Sequence, residues 1–285
     1  MKRIVAALFI MALLCSCHKE TSDTRPTLAV SMEPQRALLE EIAGPRYRVV
    51  TVLERGINPE TFDPSPRVIA DASAAERYFT LGVFPFEISV EEAISTAKTV
   101  SLNRGIERIY GTHRHEGELD THYDAENAAD PHIWSSVRNA RVFARRMANE
   151  MITIDPDSAE AYMTRYLRLD QRLQALDSTF TAELPAGTAF AVWHPSLSYF
   201  ARDYGLRQIA IGHEGKDMSA RQLRDAIETA RRNGTSVFVI ETGRDTGRIA
   251  SVNSSIGADT VNVNLISYDW EEQLRHVVDA LAGAQ

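Results

Sequence analysis

"SAEAYMTRYLRLDQRLQALDSTFTAE", residues Ser158 to Glu183, is the stretch of sequence that decides the fold. A helix of these 26 residues would be about 39 Å long at the standard helical rise. Strand and helix patterns alternate on both sides of it, so we expect a rigid helix that joins two lobes. The alternative is an ordinary long surface helix. Apolar side chains recur at helical spacing at Tyr162, Tyr166, Leu169, Leu173, Leu176 and Phe180.

Both flanking regions alternate strand and helix signals, which is the pattern of parallel βα units. The first region predicts strands at Thr27–Ser31, Tyr47–Leu53, Arg77–Leu81 and Thr99–Leu102, and helices at Pro34–Ala43, Arg67–Glu76 and Phe86–Ala97. The second predicts strands at Ala189–Trp193, Gln208–Ile211, Ser236–Ile240 and Thr260–Val263, and a last helix at Trp270–Leu281. The predicted fold class is therefore α/β, with two βα lobes that contain parallel sheets and are joined by a long, rigid backbone helix.

The first residues indicate the cellular compartment. Ile4 to Leu14 is an apolar run of eleven residues behind a basic start, too short to span a membrane and typical of a secretory signal. Leu14-Cys15-Ser16-Cys17 has the pattern of a lipobox, which predicts lipidation at Cys17; an ordinary cleaved signal is the alternative. We therefore expect a lipid-anchored protein of the cell envelope, on the periplasmic or another extracytoplasmic face.

These patterns also predict the domain boundaries. Residues 1–16 are the lipoprotein signal peptide and residues 17–26 a tether. Residues 27–134 form the N-terminal βα lobe, 135–185 the helical region with the linking helix, and 186–285 the C-terminal βα lobe.

Composition excludes several classes of partner and site. Both cysteines of the chain, Cys15 and Cys17, lie in the signal region, which leaves no disulfide framework and no cysteine-based zinc site in the lobes. The net charge of −8 argues against nucleic acid as a partner. The expected form is a monomer held at the membrane through its lipid anchor.

Three short stretches that follow predicted strands or end the first lobe carry metal-competent side chains beside prolines. They are Gly56–Pro66, Asp130–His132 and Trp193–Ser196. Proline stiffens the local backbone, which suits a ligand that must be held in place. Imidazole and carboxylate are both good zinc ligands, so each stretch offers a candidate metal ligand, and the lobe interface is a favoured place for a site.

Several motifs together resemble a known family. They are the lipobox, "VSMEPQ", "PETFDPSP", "DPHIW", "HPSLSYFARDYGL", "HEGKDMS", "VFVIET" and "NLISYDW", in family order from Leu28 to Trp270. The chain is similar to the zinc- or manganese-binding lipoproteins that serve ABC importers as substrate-binding subunits. The resemblance implies two βα lobes, a long backbone helix, one metal between the lobes, and an ABC permease with its ATPase as partners.

Carried over residue by residue, the resemblance implies Glu60, His132, His194 and Asn264 as metal ligands. Two positions depart from the family, which usually has histidine at the first and aspartate at the last. The single negative charge is kept, because the carboxylate has moved from the last position to the first. We expect a working site rather than a degenerate one, with zinc favoured and manganese the alternative.

Other residues give weaker signals. His113, His115 and His122 lie in the polar stretch "HRHEGELDTH", which either collects metal loosely or is an ordinary solvated loop. His213 and Glu214 are candidates to ligate or to orient a ligand. Glu241, at another predicted strand end, is a second candidate for the fourth ligand position.

The leading hypothesis is therefore a metal-binding subunit of an importer and not an enzyme. One alternative is a metallohydrolase of the envelope, since two histidines, a glutamate and a water form a hydrolytic set. Against it, the sequence contains no HExxH motif. The other alternative is an adhesin-like surface lipoprotein with a vestigial metal site.

Overall fold

The computed structural model describes residues 23–110, 129–212, 219–243 and 246–284, and within them it contains two four-stranded sheets. Every strand pair in both sheets is parallel. The sheets share one strand order, with the second strand at one edge, then the first, third and fourth. The predicted α/β class with two parallel lobes is confirmed.

The first lobe is built around β1, whose Leu28, Ala29 and Val30 are fully buried. A strand in a parallel sheet is covered on both faces by helices, so a continuous apolar run suits this position. The strands are β1 (Thr27–Val30), β2 (Arg48–Thr51), β3 (Arg77–Thr80) and β4 (Thr99–Ser101). The helices are α1 (Glu33–Ala43), α2 (Pro66–Ser73) and α3 (Pro85–Ala93).

Two long helices follow the first lobe, α4 (Val137–Ile154) and α5 (Ala159–Glu183). They pack against each other, and α5 also contacts α1 of the first lobe. The 25 residues of α5 bury one side, formed by Tyr162, Leu169, Leu173 and Phe180. The predicted linking helix is therefore present, and its apolar stripe is its buried face.

The second lobe repeats the pattern, with β7 buried along most of its length. Its strands are β5 (Ala189–Val192), β6 (Arg207–Ala210), β7 (Val237–Glu241) and β8 (Asp259–Val263). Its helices are α6 (Ser198–Tyr204), α7 (Ala220–Arg232), α8 (Thr246–Ile256) and α9 (Trp270–Gly283). Among the described residues, no helix combines the length and the apolar character that crossing a bilayer requires.

The hydrophobic core runs through both lobes without interruption. One cluster of buried side chains joins Leu28 of β1, Leu173 of α5, and Phe190 and Val237 of the second lobe. A smaller cluster, which includes Ile209 and Phe238, covers the other face of the second sheet. The long helix therefore packs into a core that it shares with both sheets.

Candidate metal centre

The strand order brings three of the predicted ligands to one place. In an open parallel sheet, ligands bind beyond the carboxyl ends of the strands, where the strand order reverses. His194 follows β5, and Glu60 lies in the loop that follows β2. His132 stands directly before a short 3₁₀ turn, Ile133–Ser135, that leads into α4.

The three side chains point their ligand atoms at each other. The Nε2 atoms of His132 and His194 are 2.8 Å apart. Glu60 Oε1 lies 3.4 Å from Nε2 of His132 and 3.3 Å from Nε2 of His194. Ligand atoms around a tetrahedral zinc, at bond lengths near 2.0–2.1 Å, are about 3.3 Å from one another. The two distances from the carboxylate oxygen match this spacing, while the two imidazole nitrogens are closer to each other than ligands of a tetrahedral zinc.

The group lies in a cavity of about 150 Å³ that both lobes line. The side chains of His132 and His194 are 3% and 4% exposed, while that of Glu60 is 24% exposed. The two imidazoles are therefore shielded from water, and Glu60 is partly exposed although its Oε1 atom in the cluster is buried. In the part of the chain that the structure describes, this is the one group of three or more metal-competent side chains with ligand atoms this close.

A buried carboxylate orients one of the histidines. Asp130 is fully buried, and its Oδ1 accepts a hydrogen bond from the backbone N–H of His132 at 2.8 Å. The same oxygen lies 2.9 Å from His132 Nδ1, which directs Nε2 of that ring to the metal position. Tyr199 of α6 donates a hydrogen bond to the Asp130 carbonyl at 2.9 Å, so the second lobe helps to hold this segment.

Sequence reasoning did not assign a role to Asp130. The sequence pattern that could have indicated its role is the position of this carboxylate two residues before His132, with a stiff proline between them. Trp134 adds a further support, because its ring packs against His132 at a centroid distance of 5.0 Å.

The charges around His132 act on its proton affinity. Burial alone lowers the pKa of His132, but the hydrogen bonds and negative charges of Asp130 and Glu60 outweigh burial and raise that pKa to about 10. Near neutral pH the ring therefore carries a proton when no metal is bound. A dication must displace this proton, since only the neutral imidazole ligates.

The remaining predicted site residues fall into two groups. Asn264 and Glu241 line the same cavity as the three clustered side chains, on the second-lobe side. The other predicted residues, His113, His115, His122, His213, Glu214 and Cys17, lie outside the described residues.

Two parallel α/β lobes that share one metal-competent cluster, with a 25-residue helix packed into their common core, define a two-lobed metal-binding protein. The sequence model of the family described as "ZnuA: Zinc-uptake complex component A periplasmic" matches residues 28–284. The chain belongs to this family.

Named relatives agree with this assignment. The "High-affinity zinc uptake system protein ZnuA" of Bacillus subtilis (strain 168) is 24% identical over 277 residues, which cover 92% of this chain and 87% of that protein. The "Zinc-binding lipoprotein AdcA" of Streptococcus pneumoniae serotype 4 (strain ATCC BAA-334 / TIGR4) is 24% identical, and the match covers 95% of this chain but 55% of that longer protein. A solved structure titled "Crystal structure of ZnuA" superposes with a TM-score of 0.79 at 31% identity, and covers 91% of this chain and 99% of its own.

Proposed function

We propose that this protein is the substrate-binding subunit of a metal ABC importer, and that it captures zinc between its lobes and delivers it to a permease driven by an ATPase. The observation that carries the proposal is the buried cluster of Glu60, His132 and His194 at the interface of the two lobes. The relatives named for zinc uptake and zinc binding support zinc as the cargo.

The proposed ligands are Glu60, His132, His194 and Asn264, with Glu241 as the alternative in the fourth position. Two imidazoles favour zinc, while the carboxylate keeps manganese as the alternative cargo. A fourth protein ligand, Asn264 or Glu241, would close the site, which suits a carrier because catalysis needs an open position for water or substrate. We therefore propose no enzyme activity, and favour neither an envelope metallohydrolase nor a vestigial site.

Further parts of the proposal concern the chain outside the site. We propose that the protein is a monomer of the cell envelope, anchored on the periplasmic or another extracytoplasmic face through lipid on Cys17. We also propose that the domains of the protein have the boundaries predicted from the sequence. His113, His115 and His122 are proposed to collect metal loosely, with an ordinary solvated loop as the alternative. The detergent partitioning of a Cys17→Ser variant tests the anchor.

Metal analysis and chelator competition test the function. The purified protein is expected to bind one zinc ion per chain. His132→Ala and His194→Ala should each weaken zinc binding by roughly 100-fold or more, because each substitution removes one of the few ligands. The matched control is His276→Ala, since this exposed histidine lies on α9 and outside the cavity. Parental affinity and stoichiometry in both ligand variants would contradict the site and the function together.

A further inference from the structure

Tyr268 connects the second lobe to the first beside the metal cavity. It lies on the turn between β8 and α9, and its hydroxyl donates a hydrogen bond to Glu40 Oε2 at 2.9 Å. The guanidinium carbon of Arg36 stands 5.1 Å from the centroid of the Tyr268 ring. Both partners belong to α1, so one side chain of the second lobe makes two polar contacts with one helix of the first.

Ion pairs within α1 hold the two side chains that Tyr268 contacts. Arg36 Nε lies 3.1 Å from Glu40 Oε1, an ion pair between residues one helical turn apart. A second nitrogen of Arg36 lies 3.1 Å from Glu33 Oε1. Glu40 therefore turns one oxygen to Arg36 and the other to Tyr268. These ion pairs order the side chains of Arg36 and Glu40 even without the tyrosine, which lowers the entropy cost of the contact with Tyr268.

The turn that carries Tyr268 also carries a proposed metal ligand. Asn264 lies four residues earlier, and its carbonyl accepts hydrogen bonds from Ser267 N at 3.1 Å and Ser267 Oγ at 2.8 Å. Its own N–H donates to Gln273 Oε1 of α9 at 2.9 Å. The turn is thus bonded within itself and to α9, so a displacement of Tyr268 is transmitted to Asn264.

A second cavity places the tyrosine next to the metal position. This cavity measures about 230 Å³ and is lined by Tyr268, among other residues. Gly56, Asn264 and Ile266 line both this cavity and the one that holds the ligand cluster. The turn, together with Gly56 of the first lobe, therefore separates this cavity from the one that holds the ligand cluster.

We infer that Tyr268 is a positioning residue of the metal centre, which holds the turn carrying Asn264 against α1 and thereby sets the rate at which bound metal leaves. The inference rests on the proposed function and deepens it. While the tyrosine stays on Arg36 and Glu40, Asn264 stays at the cavity wall and the metal stays enclosed. When the contact breaks, the turn is released and the second cavity opens toward the metal.

Arg172 offers a matched control for this inference. On α5, it pairs with Glu41 of α1 at 2.6 Å and with Glu271 of α9. It therefore also links α1 to the second lobe, but through α9, because its two ion-pair partners, Glu41 and Glu271, lie outside the turn. A variant of Arg172 loosens the lobes in general, whereas a variant of Tyr268 loosens the turn.

The test is the rate of zinc release from the loaded protein into excess chelator, measured by stopped flow. Tyr268→Phe removes only the hydroxyl and should release zinc roughly threefold to tenfold faster, as expected for a partly exposed hydrogen bond to a carboxylate. Tyr268→Ala also removes the ring from Arg36 and should be faster still. Both variants should bind one zinc at the parental association rate, and Arg172→Met should release zinc within about twofold of the parent.

A double-mutant cycle with Glu40→Ala identifies the contact. If the hydroxyl and the carboxylate act together, Tyr268→Phe with Glu40→Ala releases zinc no faster than the faster single variant. Parental release rates in both Tyr268 variants, or equal acceleration in Arg172→Met, would overturn the positioning role while the proposed function stands. A parent protein that binds neither zinc nor manganese would overturn the function, and this role with it.

Discussion

Glu60 is the residue that sets this metal centre apart from the pattern expected of its family. It provides the carboxylate oxygen of the cluster from the first lobe, and Asn264 lines the cavity from the second. The family resemblance predicts a histidine at the first of these positions and an aspartate at the last. If Glu60 and Asn264 are both ligands, each arrangement carries one negative charge opposite the dication, and the exchange would move that charge across the cleft without changing the total.

The exchange predicts a specific pattern of zinc affinities. Glu60→Gln should weaken binding by about 100-fold, because it removes the only charge among the proposed ligands. Adding Asn264→Asp to that variant should restore most of the affinity, and Asn264→Asp alone should bind at least as tightly as the parent. Competition titrations at one fixed pH measure all three, and Glu60→His with Asn264→Asp serves as the control with the usual family set. Parental affinity in Glu60→Gln would remove Glu60 from the site.

A second prediction at this scale concerns pH. The pKa of His132 is raised in the metal-free fold, so its proton stabilises that fold fully below about pH 6.5, and this stabilisation is lost as the pH rises toward 10. Zinc must displace the same proton, so zinc affinity should rise about tenfold per pH unit between pH 6.5 and 8.5. Chelator-buffered titrations in this pH interval test the prediction. The control variant His276→Ala should show the same dependence of zinc affinity on pH as the parent. A flat profile would contradict it.

The candidate ligands could be identified from the sequence, but their support could not. Glu60, His132 and His194 stand beside prolines and match motifs in order, which local sequence reveals. The role of Asp130 depends on the direction in which the His132 ring is turned, and Tyr268 meets α1 across some 230 residues of chain. Contacts of this kind are set by the packing of distant elements and leave no local pattern.

At the scale of elements, the start of α3 depends on one buried carboxylate. Glu87 is fully buried, and its two oxygens accept hydrogen bonds from the backbone N–H groups of Leu81, Val83 and Phe84 at 2.7, 2.8 and 3.0 Å. The hydroxyl of Thr80 donates to it as well, at 3.0 Å. These bonds fix the loop between β3 and α3 and satisfy donors at the helix N-terminus.

Replacing that carboxylate should destabilise the whole first lobe. Glu87→Gln keeps the size of the side chain but turns an amide NH₂ toward backbone donors, which should cost about 2–4 kcal/mol of unfolding free energy. Urea unfolding of the metal-free protein measures it. Glu92→Gln, on an exposed position of the same helix, should stay within about 0.5 kcal/mol of the parent. Equal stability of the two variants would show that the buried network contributes little.

Element ends were less predictable than the elements themselves. The eight strands of the described residues lie close to their predicted positions, but α3 ends at Ala93 rather than at Ala97. Ile94 is extended, and the carbonyl of Ser95 accepts a bond from the N–H of Lys98 at 2.8 Å, which closes a turn instead of a helix. The Ser95 side chain also accepts a bond from the N–H of Ala97 at 3.4 Å, and helical periodicity does not record such competition of a serine hydroxyl for backbone groups.

For the whole molecule, the shared core implies that the lobes unfold together. Leu173 of α5 is fully buried in the cluster that joins side chains of both lobes. Leu173→Ala should therefore lower the unfolding free energy by about 2–5 kcal/mol and move one common calorimetric transition. Leu167→Ala is the control, because Leu167 lies on the same helix and is 56% exposed. Two separate transitions, of which only one moves, would show that the lobes are independent.

The parallel pairing of strands within the two sheets also affects the rate of folding. Neighbouring parallel strands cannot be joined by a tight turn, so each pair in the described sheets forms only after a long crossover has been closed. Folding slows as contacts become less local, and this chain is rich in such contacts. For a polypeptide with the predicted export signal, slow folding is useful. A chain that folds slowly stays unfolded for longer, which would suit the passage across a membrane that the predicted export signal implies.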